Sequence, residues 1–160
     1  MITKTFKRYE KKFQLSASQF EQLLPILLKE MVPDAFTSQN DIYSIYNIYY
    51  DTKNYDIIRH SLSKPYYKEK LRLRSYAIPS SPDDMVFLEL KKKIGGIVNK
   101  RRATMTLGEA NRFLSNREYP QTINTLNQLV LEEIEVFLDH HSIEPKAYIS
   151  YERSAYFGKN

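Results

Sequence analysis

The sequence predicts an α+β domain: an antiparallel β-barrel or strongly curved sheet with helices packed outside. Three observations predict it. Six stretches alternate apolar and polar residues with the period of a strand. Segments between them place apolar residues at helical spacing. Gly95-Gly96, set between two of the strands, makes a tight hairpin turn. Antiparallel strands with helices inserted between them suit a closed or curved sheet.

The first strand is read over Thr3 to Leu15, with Phe6, Arg8, Glu10 and Lys12 on one face. A helix is expected from Ser18. Ser18 with Glu21 fits a capping box, and Phe20, Leu23, Leu24, Leu27 and Leu28 form a stripe expected in the core. Pro25 lies inside it, and the helix is expected to end near Met31, before Pro33. Asp41 to Asp51 reads as the second strand, with Tyr43, Ile45, Asn47 and Tyr49 on one face. A short helix over Lys53 to Leu62 would turn Tyr55, Ile57, Ile58 and Leu62 inward.

Tyr66 to Tyr76, YYKEKLRLRSY, is the stretch around which the chain is organised. As a strand it puts Lys68, Lys70, Arg72 and Arg74 on one face and Leu71 and Leu73 on the other. Like charges along one strand face repel, so something must reward the arrangement. After a turn at Pro79 to Asp84, Met85 to Ile94 places Val86, Leu88 and Leu90 on a core face and Phe87, Glu89, Lys91 and Lys93 opposite. Ile97 to Thr106 follows the hairpin, with Lys100 and Arg102 sharing a face. Two helices are expected over Thr106 to Ser115 and about Thr122 to His140. The second is built on Ile123, Leu126, Leu129, Val130, Ile134, Phe137 and Leu138. Lys146 to Tyr156 is the last strand, with Ile149, Tyr151, Arg153 and Ala155 on one face.

Composition narrows the chemistry. With 160 residues the chain is long enough for one domain with a core. It has no Cys, which excludes disulfides, thiolate metal sites and a cysteine nucleophile, and suits a reducing compartment. No apolar run approaches the roughly 20 residues of a membrane span, and MITKTFKRYE lacks the apolar core of a signal peptide, so a cytoplasmic location is expected. The net charge of +5 favours anionic partners.

Cations fall on one parity within a strand and recur on strand after strand. A solvated face would account for one such strand; their recurrence favours a lumen lined with Lys and Arg. Such a lumen needs an anion, because buried uncompensated cations are costly. Phosphate suits the mixture of Arg forks and Lys point charges. Interspersed carboxylates would serve as ligands of a divalent ion bridging phosphates, or would neutralise neighbouring cations.

The same residues carry a family resemblance. RYEKKF from Arg8, NIYYDT from Asn47, KLRLRSY from Lys70, FLELKKK from Phe87, VNKRR from Val98 and SYERSAY from Ser150 run in order along the chain. Together they resemble the VTC domain, the polyphosphate polymerase branch of the triphosphate tunnel metalloenzymes (CYTH-like superfamily). The resemblance implies an eight-stranded antiparallel tunnel that binds ATP, polyphosphate or another triphosphate with Mg²⁺ or Mn²⁺. It implies transfer of the ATP γ-phosphoryl to a growing polyphosphate chain, with release of ADP. It assigns Lys12, Arg72, Arg74, Lys91, Lys100 and Arg153 to the catalytic phosphate ligands, with Arg8, Lys70, Lys93 and Arg102 as further phosphate-binding residues. Glu10 and Glu89 become the charge-balancing or metal-side carboxylates. The choice between Lys91 and Lys93, and between Arg101 and Arg102, rests on strand parity.

Family members continue with about two further strands beyond the equivalent of Tyr156, which carry an Arg and the main metal-binding Glu. The expectation is therefore a single tunnel domain over 1–160, C-terminally truncated, with about six of eight strands and an open edge available to a second copy. Two readings compete within this frame. One is an inorganic triphosphatase, for which the single carboxylate of Arg8-x-Glu10-x-Lys12 is unfavourable. The other is a non-catalytic module for polyphosphate or inositol phosphate. No nucleic-acid partner is expected, since a lumen too narrow for a base would exclude one.

Overall fold

A computed structural model describes residues 11–35, 37 and 42–159. It divides into two compact units, 45–151 and the remainder, 1–44 with 152–160. The boundary falls within two strands, β2 (Tyr43–Thr52) and β6 (Ile143–Arg153).

In the smaller unit α1 runs from Ala17 to Glu30. Its N-cap is Ser16, whose hydroxyl accepts from the Gln19 backbone while the Gln19 side chain accepts from the Ser16 backbone. The expected Ser18/Glu21 box has the same spacing two residues later, so the sequence offers two caps and the earlier one is used. The helix passes through Pro25. Its apolar stripe is not core: no α1 residue is buried, and Phe20 and Leu28 are exposed. Periodicity reveals an apolar face but not what covers it. β1 (Met31–Pro33) pairs antiparallel with β7 (Tyr156–Gly158), and both short strands were absent from the sequence reading. The Lys159 ammonium donates to the carbonyls of Leu28 (3.1 Å) and Lys29 (2.6 Å), satisfying the end of α1.

The larger unit holds a five-stranded sheet in the order β5-β4-β3-β2-β6, with β3 at Tyr67–Ser75, β4 at Met85–Ile94 and β5 at Ile97–Thr106. The β2/β3, β3/β4 and β4/β5 pairs are antiparallel. Gly95 and Gly96 both take positive φ, 53° and 88°, as the two-residue hairpin between β4 and β5 requires. No closed barrel is formed among the described residues; β5 and β6 are the sheet edges there. Alternation fixes which face a residue occupies but not whether the sheet closes. Residues 3–10 of the expected first strand lie outside the described residues, and 11–15 are not strand.

One face of the sheet builds the core. Leu71 and Leu90 are cross-strand partners, as are Leu73 and Leu88, Leu88 and Ala103, and Val86 and Met105, and all are buried. Each such leucine gains roughly 1.5–3 kcal/mol on leaving water. Three helices cover them: α2 (Asp56–Leu62), α3 (Leu107–Asn116) and α4 (Thr125–His140). Asp51 at the end of β2 accepts from the backbones of Ile57 (2.9 Å) and Ile58 (3.0 Å), supplying the N-terminal cap that Tyr55, left-handed at φ 62°, does not. Only Ile57 of the expected α2 face is buried as an apolar residue; Tyr55, Ile58 and Leu62 are exposed. On α4, Val130, Ile134, Phe137 and Leu138 are buried as expected. Leu131 replaces Leu126 and Leu129, which face solvent. Asn127 bonds both backbone groups of Thr104 (2.7 and 3.2 Å), fastening α4 to β5. No helix among the described residues is long and apolar enough to cross a membrane.

Candidate functional site

The face of the sheet opposite the helices carries the charges, and the strand register arranges them in rows. Tyr49, Arg72, Glu89 and Arg102 lie side by side on β2, β3, β4 and β5. The row on one side is Asn47, Arg74, Phe87 and Thr104. The row on the other is Lys70, Lys91 and Lys100.

Glu89 is the centre. Its side chain is 1% exposed. Oε2 accepts from Arg72 Nε (2.6 Å) and lies 2.6 Å from Arg72 Nη2 and 3.8 Å from Arg74 Nε. Oε1 accepts from Arg102 Nε (2.7 Å) and lies 2.8 Å from Lys100 Nζ. Burial opposes ionisation of Glu89, but the Lys100 hydrogen bond and the charges of Arg72, Lys100 and Arg102 outweigh it and hold the carboxyl at about 2. Burial, with the Arg102 and Arg74 charges, pushes the Lys100 ammonium below its usual range against the pull of Glu89.

Neutral side chains that the sequence reading left out fix the outer ends of the guanidiniums. Arg72 Nη1 donates to the Tyr49 hydroxyl (2.9 Å). Arg74 donates from Nε to Asn47 Oδ1 (3.0 Å) and from Nη2 to the Tyr151 hydroxyl (3.2 Å). Asn47 is itself held by donating to the Ile149 carbonyl (3.0 Å). Arg102 donates to the Tyr76 hydroxyl (3.1 Å) and lies 4.5 Å from the centre of the Phe87 ring. Tyr76 and Phe87 border an open cleft of about 410 Å³. The signal for Tyr49 and Asn47 is their parity with Tyr43 and Ile45. It becomes legible only when the register sets Tyr49 against Arg72 and Asn47 against Arg74.

The arrangement can hold an anion. Four cations share one carboxylate, a surplus of three positive charges. The side chains of Arg72, Arg102 and Lys100 are 21%, 33% and 39% exposed, so they shield Glu89 and still reach solvent. A guanidinium has five N–H donors, and Glu89, Tyr49 and Tyr76 do not consume them all. Donors fixed before an anion arrives are the element that electrostatic stabilisation needs.

The other expected residues are placed as follows. Lys70, Lys91 and Lys93 share the Glu89 face by register. Arg101 turns to the helix face and pairs with Glu133 (3.1 Å). Arg153 belongs to the smaller unit, where its guanidinium lies 5.7 Å from the Tyr43 ring centre. Lys12 is exposed and outside any strand, and Arg8 and Glu10 lie outside the described residues. A divalent ion does not fit the described residues: both Glu89 oxygens face cations, and no group of three His, Cys, Asp or Glu is gathered among them.

Three comparisons bear on this geometry. A crystal structure of a Bacillus halodurans protein whose name proposes adenylate cyclase activity is similar to the chain. The TM-score is 0.51 and the identity 15%, over 91% of this chain and 71% of that one, a likeness of fold. A search of curated proteins gives no match. The model of the VTC domain family matches residues 7–160, so nearly the whole sequence, including the strands that build the Glu89 cluster, identifies the chain as belonging to the VTC domain family.

Proposed function

We propose that this chain is a polyphosphate polymerase-like domain that binds ATP and polyphosphate on its cationic sheet face and transfers the γ-phosphoryl to the polyphosphate end. The observation that carries the reading is the convergence of Arg72, Arg74, Lys100 and Arg102 on one buried carboxylate, with positive charge to spare. Membership of the VTC domain family supports it.

The chemistry asks little of the protein in covalent terms. An oxygen of the terminal phosphate attacks Pγ, the bond from Pγ to the β-phosphate oxygen breaks, and ADP leaves with that electron pair. Arg72 and Arg102, held by Glu89, Tyr49 and Tyr76, are suited to orient the phosphates and neutralise charge gathering on the transferred group. Glu89 acts as the internal counter-ion that keeps the guanidiniums in place.

The test is incubation with ATP and a polyphosphate primer, with Mg²⁺ or Mn²⁺ supplied, while ADP, orthophosphate and chain length are followed. Polymerase activity gives ADP and longer chains. Orthophosphate without longer chains would replace this reading with a triphosphatase. Binding without turnover would leave the non-catalytic polyphosphate or inositol-phosphate module.

A further inference from the structure

At the end of the sheet where β4 turns into β5, the core face is left uncovered. Tyr67, Ile94 and Ile97 are cross-strand neighbours there, on the parity of the buried Leu71, Leu90 and Ala103. All three are nonetheless exposed, Ile97 to 62%. Val98 is exposed on the opposite face, beside Lys93. Tyr66, 77% exposed, accepts at its carbonyl from the Gly95 N–H (2.9 Å), and its ring lies 3.0 Å from where a Cβ would sit on Gly95. The chain entering β3 and the Gly95-Gly96 turn therefore meet in one tip that is apolar on both faces. Apolar side chains scattered singly over a surface are ordinary; five gathered at one sheet end mark an interaction surface.

The placement of these side chains selects the partner. A flat protein face would cover Tyr67, Ile94 and Ile97 but leave Val98 in water. A bilayer entered tip first surrounds both faces of the hairpin. Tyrosines suit that boundary, where the ring is in apolar surroundings and the hydroxyl is wet. The charge fits one kind of bilayer. Segments 62–70 and 91–101, which meet at the tip, carry eight Lys or Arg and one Glu. Glu133 on α4 neutralises only Lys92 and Arg101 among them. Lys93, one residue before Ile94, and Lys64, two before Tyr66, are both exposed. With the apolar side chains about 5–10 Å into the interface, as amphipathic surface segments lie, these ammonium groups would stand among the headgroups and favour anionic lipid. A free phosphate or polyphosphate has no apolar part and would leave Ile94 and Ile97 in water.

We propose that the β4–β5 hairpin tip, formed by Tyr66, Tyr67, Ile94, Ile97 and Val98, docks this chain on the surface of an anionic lipid bilayer. The contact is peripheral and needs no spanning segment. It is independent of the phosphate-binding reading, because Tyr67, Ile94 and Ile97 lie on the face away from Glu89.

The experiment is flotation of the whole chain with vesicles of phosphatidylcholine alone and of equal parts phosphatidylcholine and phosphatidylserine. The parent should float with the anionic vesicles and much less with the neutral ones. Ile94→Ser/Ile97→Ser should lower partitioning into the anionic vesicles at least roughly tenfold, about 1.4 kcal/mol. Leu126→Ser/Leu129→Ser, which removes exposed leucines from α4, should leave it unchanged. A second readout does not require the serine variant to fold. The sequence has no Trp, so Ile97→Trp and Leu126→Trp each carry a single reporter. Anionic vesicles should shift the emission of Ile97→Trp to shorter wavelength and leave that of Leu126→Trp in place. A parent that floats with neither vesicle overturns the proposal. Flotation with anionic vesicles that Ile94→Ser/Ile97→Ser retains, or that leaves Ile97→Trp emission unshifted, overturns it in favour of attraction by the cationic surface alone. Self-association of the parent that the serine variant loses, without flotation, overturns it in favour of a second copy of this chain.

Discussion

On the helix-covered face of the five-stranded sheet, Lys92 and Arg101 share Glu133, and all three side chains are partly open to solvent. On the opposite face Arg72, Lys100 and Arg102 share Glu89, which is closed off beneath them. The two carboxylates differ in what their loss does. Glu133 sits in water that can replace it, so its ion pairs contribute little. Glu89 lies among cations that nothing else neutralises among the described residues, so its charge is part of the packing. One face uses ion pairs to trim a core already closed by leucines. The other uses one carboxylate to hold a cluster that keeps charge in hand for a ligand.

The largest effect should come from removing the buried carboxylate. Glu89→Ala is expected to destabilise the chain by about 3–5 kcal/mol, the range for breaking a buried ion network from one side. Glu133→Ala should cost no more than about 1 kcal/mol. Urea unfolding of both variants checks this, and similar losses would break the contrast between the faces.

Acid should act through the same carboxylate. The ordinary value of 4.5 for a glutamate is lowered to about 2 at Glu89 in the folded chain. Below about pH 4.5 the unfolded chain therefore takes up a proton that the folded chain refuses. The contribution is full above that pH and is lost as pH falls towards 2, on the order of 3 kcal/mol in all. Stability curves of the parent and Glu89→Gln between these values should converge in acid; parallel curves would contradict the assignment.

A smaller effect is expected at Tyr49. Tyr49→Phe keeps the ring beside Arg72 and removes one hydrogen bond, worth about 0.5–1.5 kcal/mol. Tripolyphosphate affinity should fall no more than about tenfold, with the unfolding midpoint nearly unchanged. A large loss of stability would make Tyr49 a core residue rather than a support for the guanidinium.

The sheet was the legible part of this fold. Leu71, Leu73, Val86, Leu88 and Leu90 announce a buried face because a period of two leaves no other placement. The same parity set Arg72 opposite the leucines of β3, Glu89 opposite those of β4, and Lys100 with Arg102 on one face of β5; the register brings them together. The helices were less legible. α4 buries Leu131 and leaves Leu126 and Leu129 in solvent, a rotation that the packing of the sheet decides and the stripe does not. β6 starts at Ile143, before the expected Lys146, and includes Pro145. Among the described residues β6 is an edge of the sheet, a position where a proline is tolerated. Tyr49, Asn47 and Tyr151 were not legible as site residues. Their roles depend on which strand lies beside which, and pairing between distant segments leaves no local mark.

The most direct test of the central claim, that the Glu89-centred cations form the anion site, is calorimetric titration of tripolyphosphate into the parent chain and Arg72→Gln. The account predicts micromolar binding to the parent and a loss of about ten- to a hundredfold in the variant, the effect of removing a charge-assisted hydrogen bond of about 1.5–3 kcal/mol, with the fold retained by circular dichroism. Equal affinities for the two chains would contradict it.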